Sequence, residues 1–469
     1  MPESPLQSDH FTREPNEPVL LYEGPGEVSD TLGNTAAGDL RVTLDWLPSP
    51  RVVFVLESDT DSGINVDARA TLKLEDSRTM DGLFAGRNVS GGGKAGFSEE
   101  VRGVVSGEWG PDKPVAHVVF NVANLPHFDG ATLKRNNGDS SHVWSGRLQW
   151  SSDQWTVTLD ETEPSLDRRE DLRERLKRGG GYALTHTGKL ERKDGASIGH
   201  EDLREVMAGL SQFLSFIAGA NTGVVLPRGI GFDGETVWER WNAPTTEPWR
   251  GRISCFPDSI VENQEVRPPE LEPVFRRFVD SWTDHDWREL LRYGVGWYMT
   301  INPHHNSETR ITLAQAGLEL AAWSHFVPNR MSKSGFERLP AVDRLRLLLT
   351  EAKVPLAVPT GLQGLETYAP ATQGGKQPWD DGPQALTEIR NLLVHPTKKL
   401  RALDIPPEVM RDTAELAVWY LQSALMFLLG YQDIYVSRVK GWNKRPVPWT
   451  VPPAAPSVET PHFPPLPKA

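Results

Sequence analysis

The pattern of apolar and polar positions is typical of β-strands over the first part of the chain. Between about residues 19 and 195, short runs of β-forming residues such as 41–46 and 52–56 are separated by Gly, Asp, Asn and Pro. The runs 144–150 and 155–159 flank a Ser-Ser-Asp turn and predict a hairpin. We therefore predict a β-rich N-terminal domain over 19–195.

A helical period appears at about residue 197. Apolar residues recur at spacings of three and four along 197–219, which predicts one amphipathic helix that ends at Gly219. A β-like stretch, 223–241, follows this helix. Together they predict a connecting region, 196–265, made of a helix and strands.

Helical patterns dominate the rest of the chain. Apolar stripes at helical spacing predict helices at 271–282, 287–295, 308–326, 339–353, 383–395 and 406–430. These helices predict a bundle over 266–436. The polar segment 1–18 is predicted to be a flexible tail, and the Pro-rich segment 437–469 a second tail. The predicted fold class is therefore α+β and multidomain, with an all-α bundle after the β-rich domain.

Composition narrows the class of protein. The chain has 469 residues and a formal net charge of −13. Generic nucleic-acid binding depends on Lys and Arg that neutralise phosphates, so any RNA contact should be confined to a small patch. Cys255 is the single cysteine, which excludes a disulfide framework and a four-cysteine zinc site. The sequence shows neither a leader pattern nor a membrane span, so we expect a cytoplasmic protein.

The helix predicted over 383–395 carries the best candidate for chemistry. Asp381 or Gly382 would cap it, and Pro396 would end it, because the residue before a proline is pushed out of the helical region. Helical geometry separates its side chains into two faces. The face toward the bundle has Leu386, Ile389, Leu392 and Leu393, and the outward face has Gln384, Thr387, Glu388, Asn391 and His395, with Arg390 at the flank.

Arg390, Asn391 and His395 suit cleavage of RNA by its own 2′-hydroxyl. A histidine exchanges protons near neutral pH, an arginine stabilises negative charge on a phosphate, and an amide orients either of them. This chemistry requires neither a metal nor another cofactor. One helix supplies one histidine, whereas the reaction benefits from both an acid and a base. Two copies that face each other across a dimer axis would supply the pair.

The spacing of Arg390 and His395 is not specific by itself. Arg135 and His142 fit the same loose pattern, but the Asn, Gly, Asp and Ser residues between them predict a turn between β segments. Spacing alone also leaves open that Arg390 and His395 are surface residues without a chemical role. His304 and its neighbouring histidine are more typical of a polar loop than of a metal site, and no metal site is predicted.

A family resemblance adds to this interpretation. The stretch ALTEIRNLLVHPTKK, residues 385–399, resembles the Arg-Asn-x3-His signature of HEPN-domain proteins, which are helical, usually dimeric, metal-independent ribonucleases of toxin and antiviral systems. Residues 187–241 resemble the middle region of ApeA-like bacterial defence proteins, which place a β-rich domain before a HEPN domain. The resemblance implies catalytic positions for Arg390 and His395, and it assigns the polar position after the arginine to Asn391.

The resemblance also implies a biological role. The expected activity is cleavage of a cellular RNA, with transfer RNA as one candidate, to give a 2′,3′-cyclic phosphate and a 5′-hydroxyl. The expected outcome is growth arrest during phage infection, with the β-rich domain as a sensor and a phage component as the trigger. Lys398, Lys399 and Arg401 follow the helix and would contact the RNA, although such a run is equally typical of a solvated loop.

Two alternative functions remain open at this point. The first is a non-catalytic, dimeric binding protein in which the bundle is inactive and the β-rich domain binds a protein or a glycan, which fits the acidic composition. The second and weaker alternative is an antitoxin that is the HEPN partner of a nucleotidyl-transfer protein.

Overall fold

The structure is a computed structural model of the chain. It describes residues 5–91, 97–110, 113–137, 140–162, 166–262, 264–328, 330–368, 379–395, 405–439 and 441–450, with residues 91, 132–137, 140–145 and 166–171 described by their backbone alone. A β-rich part precedes a helical part, which confirms the predicted order.

The first β unit is a closed antiparallel barrel. Its strands follow the order β1–β2–β3–β6–β5–β4, and β1 pairs with β4 to close the ring. Inward and outward residues alternate, as in β3, where Val52, Phe54 and Leu56 are buried. The strands are β1 (Val19–Asp30), β2 (Thr35–Asp45), β3 (Arg51–Ser58), β4 (Arg69–Leu74), β5 (Thr79–Gly91) and β6 (Phe97–Val105).

The second β unit is an eight-stranded sheet. Its order is β7–β14–β13–β8–β12–β11–β10–β9, and the predicted hairpin is confirmed as β10 paired with β11. The strands are β7 (Gly107–Trp109), β8 (His117–Ala123), β9 (Ala131–Asn137), β10 (Ser140–Ser151), β11 (Trp155–Glu161), β12 (Leu184–Arg192), β13 (Val224–Ile230) and β14 (Thr236–Trp241).

The observed β units differ from the predicted domain division. The segment predicted as one β-rich domain, 19–195, contributes to two separate sheets. Strands β13 and β14 belong to the predicted connecting region, 196–265, yet they are members of the second sheet. The reason is that β13 pairs with β8 far away in the sequence, and such pairing leaves no local pattern.

One helix within the β-rich part was not predicted. Helix α1 (Leu166–Gly179) connects β11 to β12. Its sequence, LDRREDLRERLKRG, is dominated by charged residues, so its apolar period is weak. Leu172 and Leu176, one turn apart, are buried and pack with Ala183 and Trp249.

Helix α2 joins the second sheet to the helical part. It spans His200–Ala218 and ends at Gly219, whose φ of 78° is the left-handed conformation that glycine favours at a helix end. Phe213 on its buried face lies 4.9 Å from Trp150 of the sheet and 5.4 Å from Phe275 of the helical part, measured between ring centroids. The sheet and the helices therefore share one hydrophobic core.

Five of the six helices predicted in the last part of the chain are confirmed with small shifts at their ends. The sixth, predicted over 287–295, runs from His285 to Ile301 and includes a π-helical turn, and the short helices Lys333–Glu337 and Gln363–Thr367 were not predicted. Helix α10 packs against α6, α8 and α11. The elements are α3 (Glu272–Asp280), α4 (His285–Glu289), a π-helical turn (Leu290–Gly294), α5 (Val295–Ile301), α6 (Ser307–Phe326), α7 (Lys333–Glu337), α8 (Ala341–Glu351), α9 (Gln363–Thr367), α10 (Gly382–Val394) and α11 (Pro407–Leu428), with short hairpins β15 (Ile260–Glu262) to β16 (Glu265–Arg267) and β17 (Ile434–Ser437) to β18 (Asn443–Pro446).

The N-terminal segment differs from the predicted flexible tail. Over its described part, 5–18, it forms neither helix nor strand, but it is hydrogen-bonded to the second sheet. The Leu6 amide donates to Asp160, and the Thr12 hydroxyl accepts from the Leu184 amide. The polar side chains that suggested a tail thus serve as partners for the sheet.

The C-terminal segment also differs over the residues that are described. The tail predicted over 437–469 contains β18, and Val447 is completely buried. The Trp449 indole nitrogen donates to the Tyr431 carbonyl at 2.7 Å. Residues 451–469 lie outside the described residues. Within the described ranges, no helix is long and apolar enough to cross a membrane.

Candidate functional site

The start of α10 is held firmly in the fold. Asp381 caps the helix by accepting from the Gln384 amide at 2.9 Å, and the same carboxylate receives the Arg346 Nε at 2.7 Å. The Gly382 amide donates to the Leu356 carbonyl at 2.8 Å. The predicted cap at Asp381 is confirmed, and the helix begins at a fixed position.

The apolar face of α10 lies where the sequence predicts it. Leu386 and Ile389 are completely buried, and Leu392 and Leu393 are partly buried against the same core. This confirms the predicted direction of the helix faces. The opposite face is consequently the one that carries the candidate residues.

The first turns of the outward face are covered, which corrects one expectation. Thr387 was expected to be accessible, but it is buried. Glu388 accepts hydrogen bonds from the Trp379 indole at 3.1 Å and from Gln384 at 3.0 Å. Gln384 and Glu388 are half-buried, and the exposed side chains begin at Val394, where the helix ends.

Arg390, Asn391 and His395 lie together at the open end of α10. Arg390 and Asn391 are half-buried, and His395 is exposed. An Arg390 Nη1 donates to the Asn391 Oδ1 at 3.3 Å. The Arg390 Nε is buried and has no hydrogen-bond partner among the described residues.

His395 is the residue at which the helical conformation ends. Its φ of −92° and ψ of 116° are extended, while its amide still donates to the Asn391 carbonyl at 3.2 Å. The end before Pro396 is therefore confirmed. The imidazole follows the last helical residue, so its direction is less constrained than that of a side chain inside the helix.

The basic run was expected next to this site. Lys398, Lys399 and Arg401 lie outside the described residues. The rejected pair Arg135 and His142 lies on neighbouring strands, opposite each other in the β9–β10 register, and not on one helix. This agrees with the expectation of a turn between β segments.

The remaining residues considered from the sequence have structural roles. Cys255 is buried, and burial raises the pKa of its thiol to about 12, so it is not a nucleophile at neutral pH. His304 accepts from the Asn306 amide at 3.0 Å in a loop. In the part of the chain that the structure describes, no group of three or more His, Cys, Asp and Glu is arranged to hold a metal ion.

A histidine that is held between two carboxylates was not indicated by the sequence. The His127 Nδ1 lies 2.6 Å from Glu161, and its Nε2 lies 2.9 Å from Asp129. Arg173 from α1 forms an ion pair with the same Glu161. These residues connect a loop, a strand and a helix, which is a structural role. Their wide separation in sequence leaves no local signal.

The sequence also did not indicate a cleft between α2, the β14 end of the second sheet and the segment around the π-helical turn. Its volume is about 500 Å³. Arg204, Arg240, Arg288 and Arg292 line it. The pair Arg288 and Arg292, one helical turn apart, is the one signal in the sequence that could have pointed to it.

Comparisons with known proteins find similarity to two family models and to one relative, and none of their descriptions states an activity. The family model described as the YopA central domain matches residues 110–252, and the model described as the YopA C-terminal domain matches residues 284–447. The SPbeta prophage-derived uncharacterized protein YopA of Bacillus subtilis (strain 168) is 26% identical over 454 residues, which cover 93% of this chain and 95% of that protein. No solved structure matches the chain.

Proposed function

We propose that this chain is a metal-independent endoribonuclease of the HEPN type, which acts in the cytoplasm as an effector of anti-phage defence. One observation carries the proposal: a guanidinium, an amide and an imidazole lie at the open end of a helix whose start is fixed. The resemblance of residues 385–399 to the HEPN signature supports it. The matching relative is described as prophage-derived, which is a property of that protein.

The proposed reaction uses two copies of the helix end. The 2′-oxygen of a ribose attacks the neighbouring phosphorus, and the bond from that phosphorus to the 5′-oxygen of the next nucleotide breaks. One His395 removes the 2′ proton, and the partner's His395 gives a proton to the departing 5′-oxygen. The products are a 2′,3′-cyclic phosphate and a 5′-hydroxyl.

Arg390 and Asn391 have supporting roles in this reaction. The Arg390 guanidinium stabilises the negative charge that builds up on the non-bridging phosphate oxygens. Its Nε has no partner among the described residues but is buried, so a phosphate oxygen reaches this N–H only when the surrounding side chains shift. Asn391 accepts from the guanidinium and thereby orients it. We propose that Lys398, Lys399 and Arg401 bind the RNA backbone.

The proposed regulation assigns a restraining role to the β-rich part. In an uninfected cell it keeps the two helix ends from acting on RNA, and a phage component releases them. Transfer RNA is the first substrate to test, because its single-stranded loops present unpaired nucleotides.

The test is RNA cleavage by the purified full-length protein in the presence of EDTA. It uses transfer RNA and a single-stranded oligonucleotide, each with and without extract from phage-infected cells. We expect His395→Ala and Arg390→Ala to lower the cleavage rate by about 100-fold or more. The control is His285→Ala, because the His285 side chain is 98% exposed and far from α10 in sequence. Undiminished cleavage by His395→Ala would contradict the proposal.

A second candidate function is favoured by the cleft lined by arginines. In a non-catalytic binding protein, that cleft would be the functional site and the end of α10 would be ordinary surface. The two candidates differ in the cell: a binding protein retains its phenotype when Arg390 or His395 is replaced by alanine, whereas a ribonuclease loses it.

A further inference from the structure

The cleft between the second sheet and the helical part, here called the arginine cleft, has the size of a small-molecule site. Its volume of about 500 Å³ lies in the range of roughly 300–1,000 Å³ that is usual for ligand pockets. One wall is α2, a second is β14 with the loop after it, and a third is the segment around the π-helical turn. A ligand in the cleft would contact both parts of the molecule.

The charge of the arginine cleft is opposite to that of the whole chain. Four arginines line it, whereas Glu205 is the one carboxylate among its described lining residues. Glu205 is bound by Arg288 at 3.0 Å, and Arg204 forms an ion pair with Glu108. Arg240 and Arg292 form no ion pair with any residue that the structure describes. The cleft therefore keeps two uncompensated positive charges in a chain whose net charge is −13.

Some polar side-chain atoms in the cleft wall have no hydrogen-bond partner, which indicates a ligand that forms hydrogen bonds as well as ion pairs. Trp282 is 5% exposed and lines the cleft, yet its indole N–H has no hydrogen-bond partner among the described residues. The Gln212 Oε1 and the Arg288 Nε are also buried without a partner. A buried donor or acceptor without a partner costs about 1–3 kcal/mol, which a suitable ligand would recover. The residues of the wall thus hold two N–H donors and one amide acceptor that are buried, so a ligand contacts them only when the side chains of the wall shift.

The backbone beside the cleft has an irregularity that is often found at functional sites. The helix that begins with α4 changes to a π-helical turn at Leu290–Gly294 before it continues as α5. Such π-helical turns change the direction of neighbouring side chains and are frequently found at functional sites. Arg292 lies in this turn and is exposed at the mouth of the cleft, next to the Tyr293 ring.

We propose that the arginine cleft binds a small phosphorylated molecule that has a polar ring, of which a nucleotide is the natural example. Arg240 and Arg292 bind the phosphate, because a guanidinium donates paired hydrogen bonds to phosphate oxygens. Trp282 and Gln212 bind the ring, which supplies both an acceptor and a donor. This site is separate from the end of α10 and does not depend on the RNA cleavage proposed there.

The test measures binding directly by isothermal titration calorimetry on the full-length protein. The probes are ATP, ADP and AMP, with adenosine, inorganic phosphate and a short single-stranded RNA for comparison. We expect at least one nucleotide to bind below about 1 mM and adenosine to bind at least about tenfold more weakly. Cleavage of RNA is not the readout, so failure of the α10 proposal would leave this result unaffected.

Two variants assign the binding to the cleft. Arg240→Gln and Arg292→Gln should each weaken nucleotide binding by about tenfold or more, because each removes a charged hydrogen-bond donor. The matched control is Arg338→Gln, an exposed arginine outside the cleft that should bind as the wild type does. If Arg240→Gln fails to fold, the exposed Arg292 still provides the test.

Three results would overturn the proposal. The first is the absence of binding by every nucleotide, and the second is equal binding by the wild type, Arg240→Gln and Arg292→Gln. The third is inorganic phosphate that binds as tightly as the nucleotides, because the ring would then contribute nothing to binding. Binding of the RNA alone would make the cleft part of an RNA path.

Discussion

At the scale of single residues, Gly382 shows how closely α10 is fitted to its neighbours. A Cβ atom at this position would collide with the Tyr420 hydroxyl and would touch Leu416 at 3.1 Å. The Tyr420 hydroxyl cannot easily move, because it donates to the Leu356 carbonyl at 3.1 Å. The Gly382 amide donates to that same carbonyl at 2.8 Å. The start of the candidate helix thus depends on a residue without a side chain.

We expect Gly382→Ala to lower the free energy of unfolding by roughly 1–3 kcal/mol, because the added methyl group overpacks the site. Urea unfolding measures this change. In a Tyr420→Phe background the same substitution should cost distinctly less, since the hydroxyl that collides is gone. The control is Gly296→Ala in α5, where a Cβ meets no atom within 4 Å, and this change should stabilise by about 0.5–1 kcal/mol. Equal costs in both backgrounds would contradict the explanation.

At the scale of elements, Glu415 connects two helices to the C-terminal hairpin. From α11 it accepts from Arg310 of α6 at 2.7 Å, and it lies 3.5 Å from Arg438, which follows β17. Arg438 also donates to Asn302 at the end of α5. Burial raises the pKa of Glu415, but the hydrogen bond from Arg310 and the charge of Arg438 outweigh burial, so its pKa lies below the ordinary value.

We expect Glu415→Gln to destabilise the protein by on the order of 3 kcal/mol at pH 7, because two buried guanidinium groups lose their carboxylate. A lowered folded-state pKa contributes stability above the ordinary value of 4.5, and that contribution is lost as acid protonates the folded protein. The difference between wild type and variant should therefore shrink below pH 4.5. Urea unfolding across pH checks this, with the exposed Glu289→Gln as control. A difference independent of pH would disprove the electrostatic explanation.

Elements with local signals could be predicted from the sequence. The bounds of α10 follow from a capping Asp381 and from Pro396, and its buried face follows from the leucine and isoleucine spacing. Burial of Thr387 could not be predicted, because it depends on how other elements pack against the helix. The place of β13 in the second sheet could not be predicted either, because its partner β8 is distant in the chain.

The sequence predicted the candidate residues of α10 but not the arginine cleft. The sequence predicted that Asn391 and His395 share the outward face; in the structure His395 is exposed and Asn391 is half-buried. It did not indicate the arginine cleft, because Arg240 lies on a strand and Arg292 on a π turn that no periodicity predicts. Contacts between residues far apart in the chain depend on the complete fold, so sequence patterns miss them.

At the scale of the whole molecule, the proposed ribonuclease needs a second copy of the chain. Each α10 carries one arginine and one histidine at its end, so the acid and the base come from two subunits. We expect light scattering at micromolar concentration to give twice the 52.2 kDa mass of one chain. Cleavage per mole of protein should fall on dilution as the dimer dissociates. A strictly monomeric protein that retains full specific activity would exclude a site shared by two histidines.

The core that is shared by the second sheet and the helices constrains how this protein can change during evolution. One hydrophobic cluster extends from Val115 to Val447, whereas the barrel has a cluster that is mostly its own. A recombination junction within 110–447 would separate halves of one core, but a junction near residue 106 would exchange the barrel and leave that core closed. The first matched family model begins at residue 110, just beyond this point. Such an exchange would also replace the N-terminal segment 5–18 and would part the barrel from Leu184 and Trp241, so a new barrel must match this surface of the second sheet.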